Sequence, residues 1–522
     1  MALTKPVSND PGYSGATKAS VVIGGIVDAI TQQSWSVKAY GGAAGDGVAD
    51  DTTPIQNTLT AAGVTGGMVF VPPGTYKITA RLTVPSGVSV SSAGGATIAP
   101  SGNWTGISAV LQNSNITPAS TGARDHDITI RDLIFDCSGI SSGAPDCIRL
   151  TAAYRVKVLN NTILSCPGVG GVGVGRYSAG AINSGDITIS GNMVKSSAGQ
   201  GIYLTSCARA VVSGNLIDTT TLSGIDLEPN ANETLTDVVV EANVITATVK
   251  AGISLGLSNS GITVNGLTVA NNIINSPSDA TFGHGIIINA ANATGRTLVN
   301  GNSITGAAAV GIAYTAGNDV VIAANTVQTS GSYGIRIGSA ANLHWAVTGN
   351  HVDNTAADAI RVENASAQGT ITGNFVRQRG ASLSGIRIDA GTAITVTGNA
   401  VIHDSNTGST GIGCTASTPT DIVVVGNRVT GAATGISLGA TSGNCLVMAN
   451  VTIGCTNAYV NNGAATNGIA FYDKAPVAKT TNGIAAAAFV ANTSAIANDT
   501  ATWGGYTAGQ VVAALKAVGI LT

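Results

Sequence analysis

One short phrase recurs through this chain: strand-forming residues, a small residue, then Asn. It reads TISGN, VVSGN, VVEAN, TVANN, LVNGN, VIAAN, AVTGN, TITGN, TVTGN, VVVGN and LVMAN, with the Asn at Asn192, Asn215, Asn243, Asn272, Asn302, Asn325, Asn350, Asn374, Asn399, Asn427 and Asn450. Successive copies lie 23 to 30 residues apart. A self-similar period of this length is the mark of a solenoid, in which each repeat buries its apolar side against its neighbours. A second phrase follows each Asn: GIYL, GIDL, GISL, GIII, GIAY, GIRI, AIRV, GIRI, GIGC, GISL. It starts nine residues after the Asn in six of ten cases, so each coil carries at least two strands in fixed register. ITIRDLIFD, with Asp132 at the Asn position, and VKVLNNTIL, with Asn161, read as earlier copies. Thirteen coils at the ~4.8 Å spacing of neighbouring strands would stack to about 60 Å.

Composition agrees. Charged residues make up 10% of the chain and Gly 69 of 522 residues, which suits stacked strands joined by tight turns and not a helical protein. The repeated Asn residues are expected to form an internal ladder, tolerating the left-handed backbone of a turn and bonding amide to amide between coils. A net charge of −3 leaves no general basic surface, so no nucleic-acid partner is expected. No run is long and apolar enough for membrane insertion. The seven Cys are odd in number and thinly spread, and read as small core residues rather than a disulfide framework. Neither they nor the five scattered His show metal-ligand spacing, so no metal and no cofactor is expected. MALTKPVSND has no charged-then-apolar secretion signal.

Three regions are expected. Residues 1–35 form an N-terminal leader with a short helix after Ser20, 36–472 the solenoid, and 473–522 a tail of different composition. Within the solenoid, SVKAYGGAAGDGVADDTTPIQNTLTAAG followed by GGMVFVPPGTYKIT reads as a strand near Val37, an acidic turn with Asp46 and Asp50, and a helix from about Thr52 to Ala62 capped by Asp51. A strand from Met68 to Val71 and a Pro72-Pro73-Gly74 turn complete the unit. Over Val37 to Tyr76 this segment resembles the opening of the pectate-lyase-like parallel β-helix superfamily. The resemblance implies an all-β, right-handed, single-stranded parallel β-helix. It leaves the chemistry open, because that superfamily holds lyases, hydrolases, epimerases and inactive binding proteins.

Function must then be sought on the outward face. Side chains alternate along a strand, so in the GI-x-L-x phrase the aliphatic residues point inward and the x positions outward. The first outward column reads Tyr203, Asp226, Ser254, Ile287, Ala313, Arg336, Arg361, Arg387, Gly413, Ser437, with Arg149 expected in an earlier coil. The second reads Thr205, Glu228, Gly256, Asn289, Thr315, Gly338, Glu363, Asp389, Thr415, Gly439. Asp226 and Glu228 would stand about 6.6 Å apart on one face. That suits a general acid and a water-activating base flanking a glycosidic bond in an inverting arrangement. Tyr203, one coil before, is placed to stack on a sugar. The plain alternative is a solvated acidic pair. Arg336, Arg361 and Arg387 occupy three consecutive coils beside Glu363 and Asp389. They read either as guanidinium groups for an anionic sugar or as a salt-bridge ladder. Glu363 and Asp389 are the alternative catalytic pair, and an Arg acting as the base of a lyase is a further alternative. The two clusters lie ~24 Å apart along the axis, so they are two places rather than one.

In the tail, Ala508 to Val518 is expected to form a helix with Val511, Val512, Leu515 and Val518 on one side. FYDKAPVAK…VVAALKAVGIL resembles the C-terminal ends of bacteriophage tail-fibre and tailspike proteins. That resemblance implies a homotrimer packed at its end, a virion-tail location and attachment to the phage tail or baseplate through the N-terminus. With the outward columns it points to a spike that binds and depolymerises a bacterial surface polysaccharide, by hydrolysis rather than elimination. The alternatives are a non-enzymatic receptor-binding or structural spike and a free bacterial lyase or epimerase.

Overall fold

The structure is a computed structural model. It describes residues 34–462, apart from 177–181, 229–232, 257–262, 290–291, 294–295, 339–342, 364–365 and 416–418, together with 470–471, 502–503 and 506–507. The chain divides into two units, Met1–Asp473 and Lys474–Thr522. In the second, Thr502–Trp503 pairs antiparallel with Tyr506–Thr507. The expected leader helix and the expected helix at 508–518 lie outside the described residues.

The first unit is a parallel β-solenoid of about 15 turns. Each typical coil has three strands, for example Ser184–Ser190, Met193–Ser197 and Gln200–Leu204, and these stack into three sheets that we call A, B and C. Every pairing between coils is parallel, as in Val211↔Val239, Ile217↔Ile245 and Ile202↔Ile225. Sheet C contains 15 strands, two more than the coils counted in the sequence, because its first strands, Leu82–Val84 and Ala109–Asn113, precede the Asn phrase. Inward residues of the three sheets form one continuous core along the axis.

Each Asn phrase is the turn from sheet A to sheet B. From Asn161 to Asn450 the Asn side chains form an unbroken internal ladder. The amide oxygen of each accepts the backbone N–H and the side-chain N–H of the Asn one coil before, as Asn215 does from Asn192 at 2.9 and 3.0 Å. The left-handed residue of the turn is not the Asn but the small residue before it: Gly191 has φ 67° and Gly214 φ 63°, and Ala242 takes φ 54°. That also corrects the place of Asp132. With φ 58° it is the left-handed residue of its coil, and Leu133 stands where the Asn would be.

A helix, Thr52–Thr65, covers the first coils with Ile55, Leu59 and Ala62 buried in the common core. It hides an open end of the stack that would otherwise invite strand addition. Asp51 does not cap it through its side chain. Its buried carboxylate turns back instead and accepts the N–H groups of Ala44 and Gly45, at 2.6 and 2.9 Å, fixing the Gly/Asp loop. Asp46 holds the next turn through the N–H groups of Val48 and Ala49. All seven Cys are free and six are buried, in keeping with a role as small core residues.

Candidate functional site

Pairing across sheet C confirms the outward register. Arg149 stands opposite Gly173, Gly173 opposite Tyr203, Tyr203 opposite Asp226, and Asp226 opposite Ser254. Further on, Ala313, Arg336, Arg361 and Arg387 are consecutive partners. Arg336 is four coils beyond Asp226.

The sheet also carries an outward column that simple alternation hides. The Gly of the GI phrase is a second inward residue beside the Ile. A Cβ on Gly201 would lie 2.5 Å from Ile217 Cγ2, and one on Gly224 2.4 Å from Ile245 Cγ2. Two inward residues in succession reset the parity, so the residue before the Gly faces outward. This adds Asp146, Gln200, Ser223, His284, Tyr333 and Asp358 to the face. None of them stands in the two columns that alternation assigns to the site.

Asp226 sits in a neutral polar nest. Its carboxylate accepts Ser254 Oγ–H from the next coil and Gln200 Nε2–H, the latter at 2.9 Å, and it is only 4% exposed. Burial pushes its pKa up, against the lowering effect of those two hydrogen bonds. The alternative of a solvated acidic pair therefore fails for Asp226. Glu228 is half-buried just past the strand end, its N–H bonded to Leu204 O at 2.9 Å. Tyr203 is not a free sugar platform. Its ring lies back over the preceding coil, where Cβ atoms on Gly170 and Gly173 would come within 2.4 and 2.2 Å of it. Its hydroxyl donates to Asp146 Oδ2 at 2.7 Å. Asp146, buried at the far edge, also has a pKa raised by burial. Its nearest cation is Arg149, at 3.8 Å.

The second cluster is different in kind. Arg336 binds Glu363 at 2.6 Å, and Arg387 binds Asp389 at 2.6 Å. Arg361 joins Asp358 at 3.2 Å, Glu363 and Asp389. Its Nε lies 2.9 Å from Glu363 Oε1 but off the N–H line, so that contact is an ion pair and not a hydrogen bond. The Tyr333 ring lies 4.8 Å from the Arg361 guanidinium. Burial pulls the Arg361 pKa down, but the surrounding carboxylates outweigh it and hold it above its ordinary value. Three guanidiniums thus meet three carboxylates, and the salt-bridge alternative describes the geometry. Breaking a buried pair costs about 3–5 kcal/mol. Because Arg361 keeps 21% of its side chain exposed, Arg361→Gln is expected to lower stability by about 2 kcal/mol in urea unfolding. An unchanged midpoint would show that the network contributes nothing.

Between the clusters the face is apolar, with Ala251, Ile287, Val310 and Ala313 buried together and Tyr333 packed on them. His284 lies in this stretch and its Nδ1 accepts Val310 N–H at 3.3 Å. Burial first, then the charge of Arg336, lowers its pKa to about 4, with Asp279 opposing. A base whose pKa falls on folding binds its proton more readily unfolded, so its contribution to stability is present above the unfolded value and lost as pH falls toward 4. Between pH 7 and 5.5 the wild type should lose about 1 kcal/mol that His284→Gln does not lose. Parallel pH profiles of the two proteins would refute this.

Sequence comparison adds a family. The model described as rhamnogalacturonase A/epimerase, pectate lyase-like, matches residues 34–273. A second, described as periplasmic copper-binding protein (NosD), matches residues 223–378 and again 264–485, the overlap expected when one repeat fits in two registers. A curated relative, the non-secreted LysM effector LysM19 of Penicillium expansum, is 33% identical over 112 residues. That stretch is 21% of this chain and 8% of the relative's length. Among solved structures, the family 28 exopolygalacturonase of Yersinia enterocolitica aligns with 76% of this chain and 78% of its own, at 13% identity and TM-score 0.50. A mannuronan C-5 epimerase A-module of Azotobacter vinelandii covers 80% of this chain and 99% of its own, at 19% identity and TM-score 0.47. Tailspike protein 3 of bacteriophage CBA120 covers 85% and 62%, at 11% identity and TM-score 0.38. Residues 34–273 are thus similar to the pectate-lyase-like family, and the fold they belong to is a parallel β-solenoid.

Proposed function

We propose that the protein binds and depolymerises a polysaccharide on the outer face of sheet C, with Asp226 as general acid and Glu228 as its partner. One observation carries this reading. Asp226 is an outward-facing carboxyl held by neutral partners and raised in pKa by burial, whereas Glu363 and Asp389 are bound by guanidiniums. A carboxyl biased toward its protonated form is what protonation of a glycosidic oxygen requires. A partner two residues on along the chain, at a backbone spacing of ~6.6 Å, suits inversion rather than retention, and the hydrolytic reading rests on Asp226 as the acid. The fold shared with a polygalacturonase and the match to a rhamnogalacturonase/epimerase model support a saccharide substrate.

The copper of the second family description finds no support in the donor set. Among the described residues no group of three or more His, Cys, Asp or Glu is placed to hold a metal ion. The role as a homotrimeric phage tailspike, with a virion-tail location and a bacterial surface polysaccharide as receptor, rests on the resemblance of the C-terminal segment. A solution mass of one 51.4 kDa chain would overturn the trimer.

The enzymatic reading is tested by incubating the protein with capsular polysaccharides and O-antigens from a broad panel of bacteria and chromatographing the products. Saturated oligosaccharides are expected. Unsaturated products would replace hydrolysis by elimination, and intact polymer throughout would leave a binding protein.

A further inference from the structure

Gln200 is held beside Asp226 with half of its amide unused. Its backbone is fixed on both sides: its N–H donates to Val169 O at 2.6 Å, and its carbonyl accepts Ser197 Oγ–H at 2.8 Å. From this outward position, one coil before Asp226, the side chain reaches across, and its Nε2–H donates to Asp226 Oδ2 at 2.9 Å. The other end of the amide meets no donor. Gln200 Oε1 is buried and has no hydrogen-bond partner. A buried acceptor left unpaired is costly, and a residue that only tethered a strand would not need one.

The two oxygens of Asp226 have partners of different kinds. Oδ1 faces the Ser254 hydroxyl, which also lies 3.2 Å from Ser223 Oγ. A hydroxyl rotates, so this side can donate to a carboxylate or accept from a carboxyl group. An amide end is fixed as either donor or acceptor. With Nε2 toward Oδ2, Gln200 satisfies the ionised acid. A proton on Oδ2 would bring two hydrogens face to face, unless the amide turns over and Oε1 accepts the O–H. The two ends of an amide are nearly identical in shape, so both orientations fit one space. The surrounding charges do not take over this task. Lys250, in the turn before the next coil's strand, acts on the carboxyl at longer range. Tyr203 donates to Asp146 instead, and Glu228 stands past the strand end.

We propose that Gln200 is a two-way positioning residue for the acid: its amide donates to Asp226 when that group is ionised and turns to accept the Asp226 O–H when it is protonated. The proposal rests on the reading of Asp226 as general acid. In that reaction the Asp226 proton passes to the glycosidic oxygen. The bond from the anomeric carbon to that oxygen breaks, and its electron pair stays on the oxygen. A water adds to the anomeric carbon and gives its proton to Glu228. Asp226 is left ionised, and the turned Gln200 amide supplies the donor it then needs. Solvent closes the cycle by returning a proton to Asp226 and taking one from Glu228. Gln200 thus lets a nearly buried acid gain and lose its proton with a matching partner in each state.

The first test uses the full chain without saccharide. The side-chain amide resonances of Gln200, in protein labelled with ¹⁵N-glutamine and assigned by their loss in Gln200→Met, are followed against pH. They should titrate with the same midpoint as the Asp226 carboxyl carbon and stay still in Asp226→Asn. The second test is the pH profile of kcat/KM on a polymer that the wild type cuts. Gln200→Met removes donor and acceptor together. A hydrogen bond to a charged group is the stronger of the two, so its loss favours the protonated acid. The alkaline limb should move up by about one pH unit and the rate at the optimum fall about tenfold. Gln200→Glu, which can both donate and accept while protonated, should restore the rate on the acid side and carry the limb higher still, because adjacent carboxyls share one proton. Thermal unfolding serves as the folding control for both variants. A Gln200 amide that does not titrate in the wild type, one that titrates equally in Asp226→Asn, or a Gln200→Met profile lowered at every pH with its limb in place would overturn the proposal. Failure of the enzymatic reading looks different: the amide still titrates with Asp226 while no polymer is cut.

Discussion

Asp226→Asn is expected to cut the rate of polysaccharide cleavage by about 10²–10⁴-fold, the usual worth of a general acid, while leaving saccharide binding intact. The same substitution should stabilise the fold at pH 7. Burial raises the Asp226 pKa above its unfolded value, so the folded state holds the proton more tightly. Whatever stability this group contributes is fully present below the unfolded pKa and lost as pH rises through the folded one. Asparagine is neutral at every pH and escapes that loss. It also presents an N–H₂ to Gln200 Oε1, which is buried without a partner beside the wild-type carboxylate. The variant should therefore melt above the wild type at pH 7, with the gap closing toward pH 4. Lost activity with raised stability is the signature of a residue kept for chemistry against the interest of the fold. Lost activity with lowered stability at pH 7 would mean that the Ser254–Asp226–Gln200 nest is structural, and full activity would remove Asp226 from the reaction. Glu228→Gln tests the partner role alone: cleavage should fall similarly, without the rise in melting temperature at pH 7 that desolvated Asp226 causes.

The fold was legible because the solenoid repeats its own instructions. Asn192 and its ten successors gave the period, and the GI strands gave a register that the pairing of Tyr203 with Asp226 and of Arg336 with Arg361 bears out. The site was legible only by halves. Alternation is a rule for a straight strand, and the close approach of Gly201 to Ile217 and of Gly224 to Ile245 bends the strand there. Asp146, Gln200, Tyr333 and Asp358 lie on the far side of that bend. Without Asp358 the arginine column looked short of anions; without Gln200 beside it, the alternative of a solvated acid at Asp226 stayed open. The run of glycine in GVGGVGVG was visible in the sequence, and its meaning as a floor for Tyr203 became apparent only when the ring was seen lying across it.

Asn302→Ala is expected to destabilise the solenoid by about 3 kcal/mol, because it opens the middle of the Asn ladder where no water can replace it. Asn302 is 1% exposed. Its amide oxygen accepts the backbone N–H of Asn272 at 3.0 Å and its side-chain N–H at 2.9 Å. Its own N–H₂ donates to Val269 O and to Asn325 Oδ1, both at 2.9 Å. Alanine removes these four bonds and a fifth, to Asn300 O at 3.2 Å, and leaves a buried backbone N–H and a buried carbonyl unsatisfied, each worth roughly 1–3 kcal/mol. The sharper comparison is Asn302→Asp. If the position served only to shape a turn, aspartate would be tolerated, and the left-handed residue of this turn is Gly301, at φ 66°, in any case. In the ladder an aspartate turns a donor toward Val269 O into an acceptor and buries a charge with no cation beside it. Its pKa should rise on folding, so the stability of Asn302→Asp should fall as pH rises from 4 to 7 and recover on acidification, when a protonated carboxyl can donate again. Urea unfolding of both variants at pH 4 and pH 7 gives the answer. An aspartate variant within about 0.5 kcal/mol of the wild type at pH 7 would show that the stacked amides do not hold the coils together.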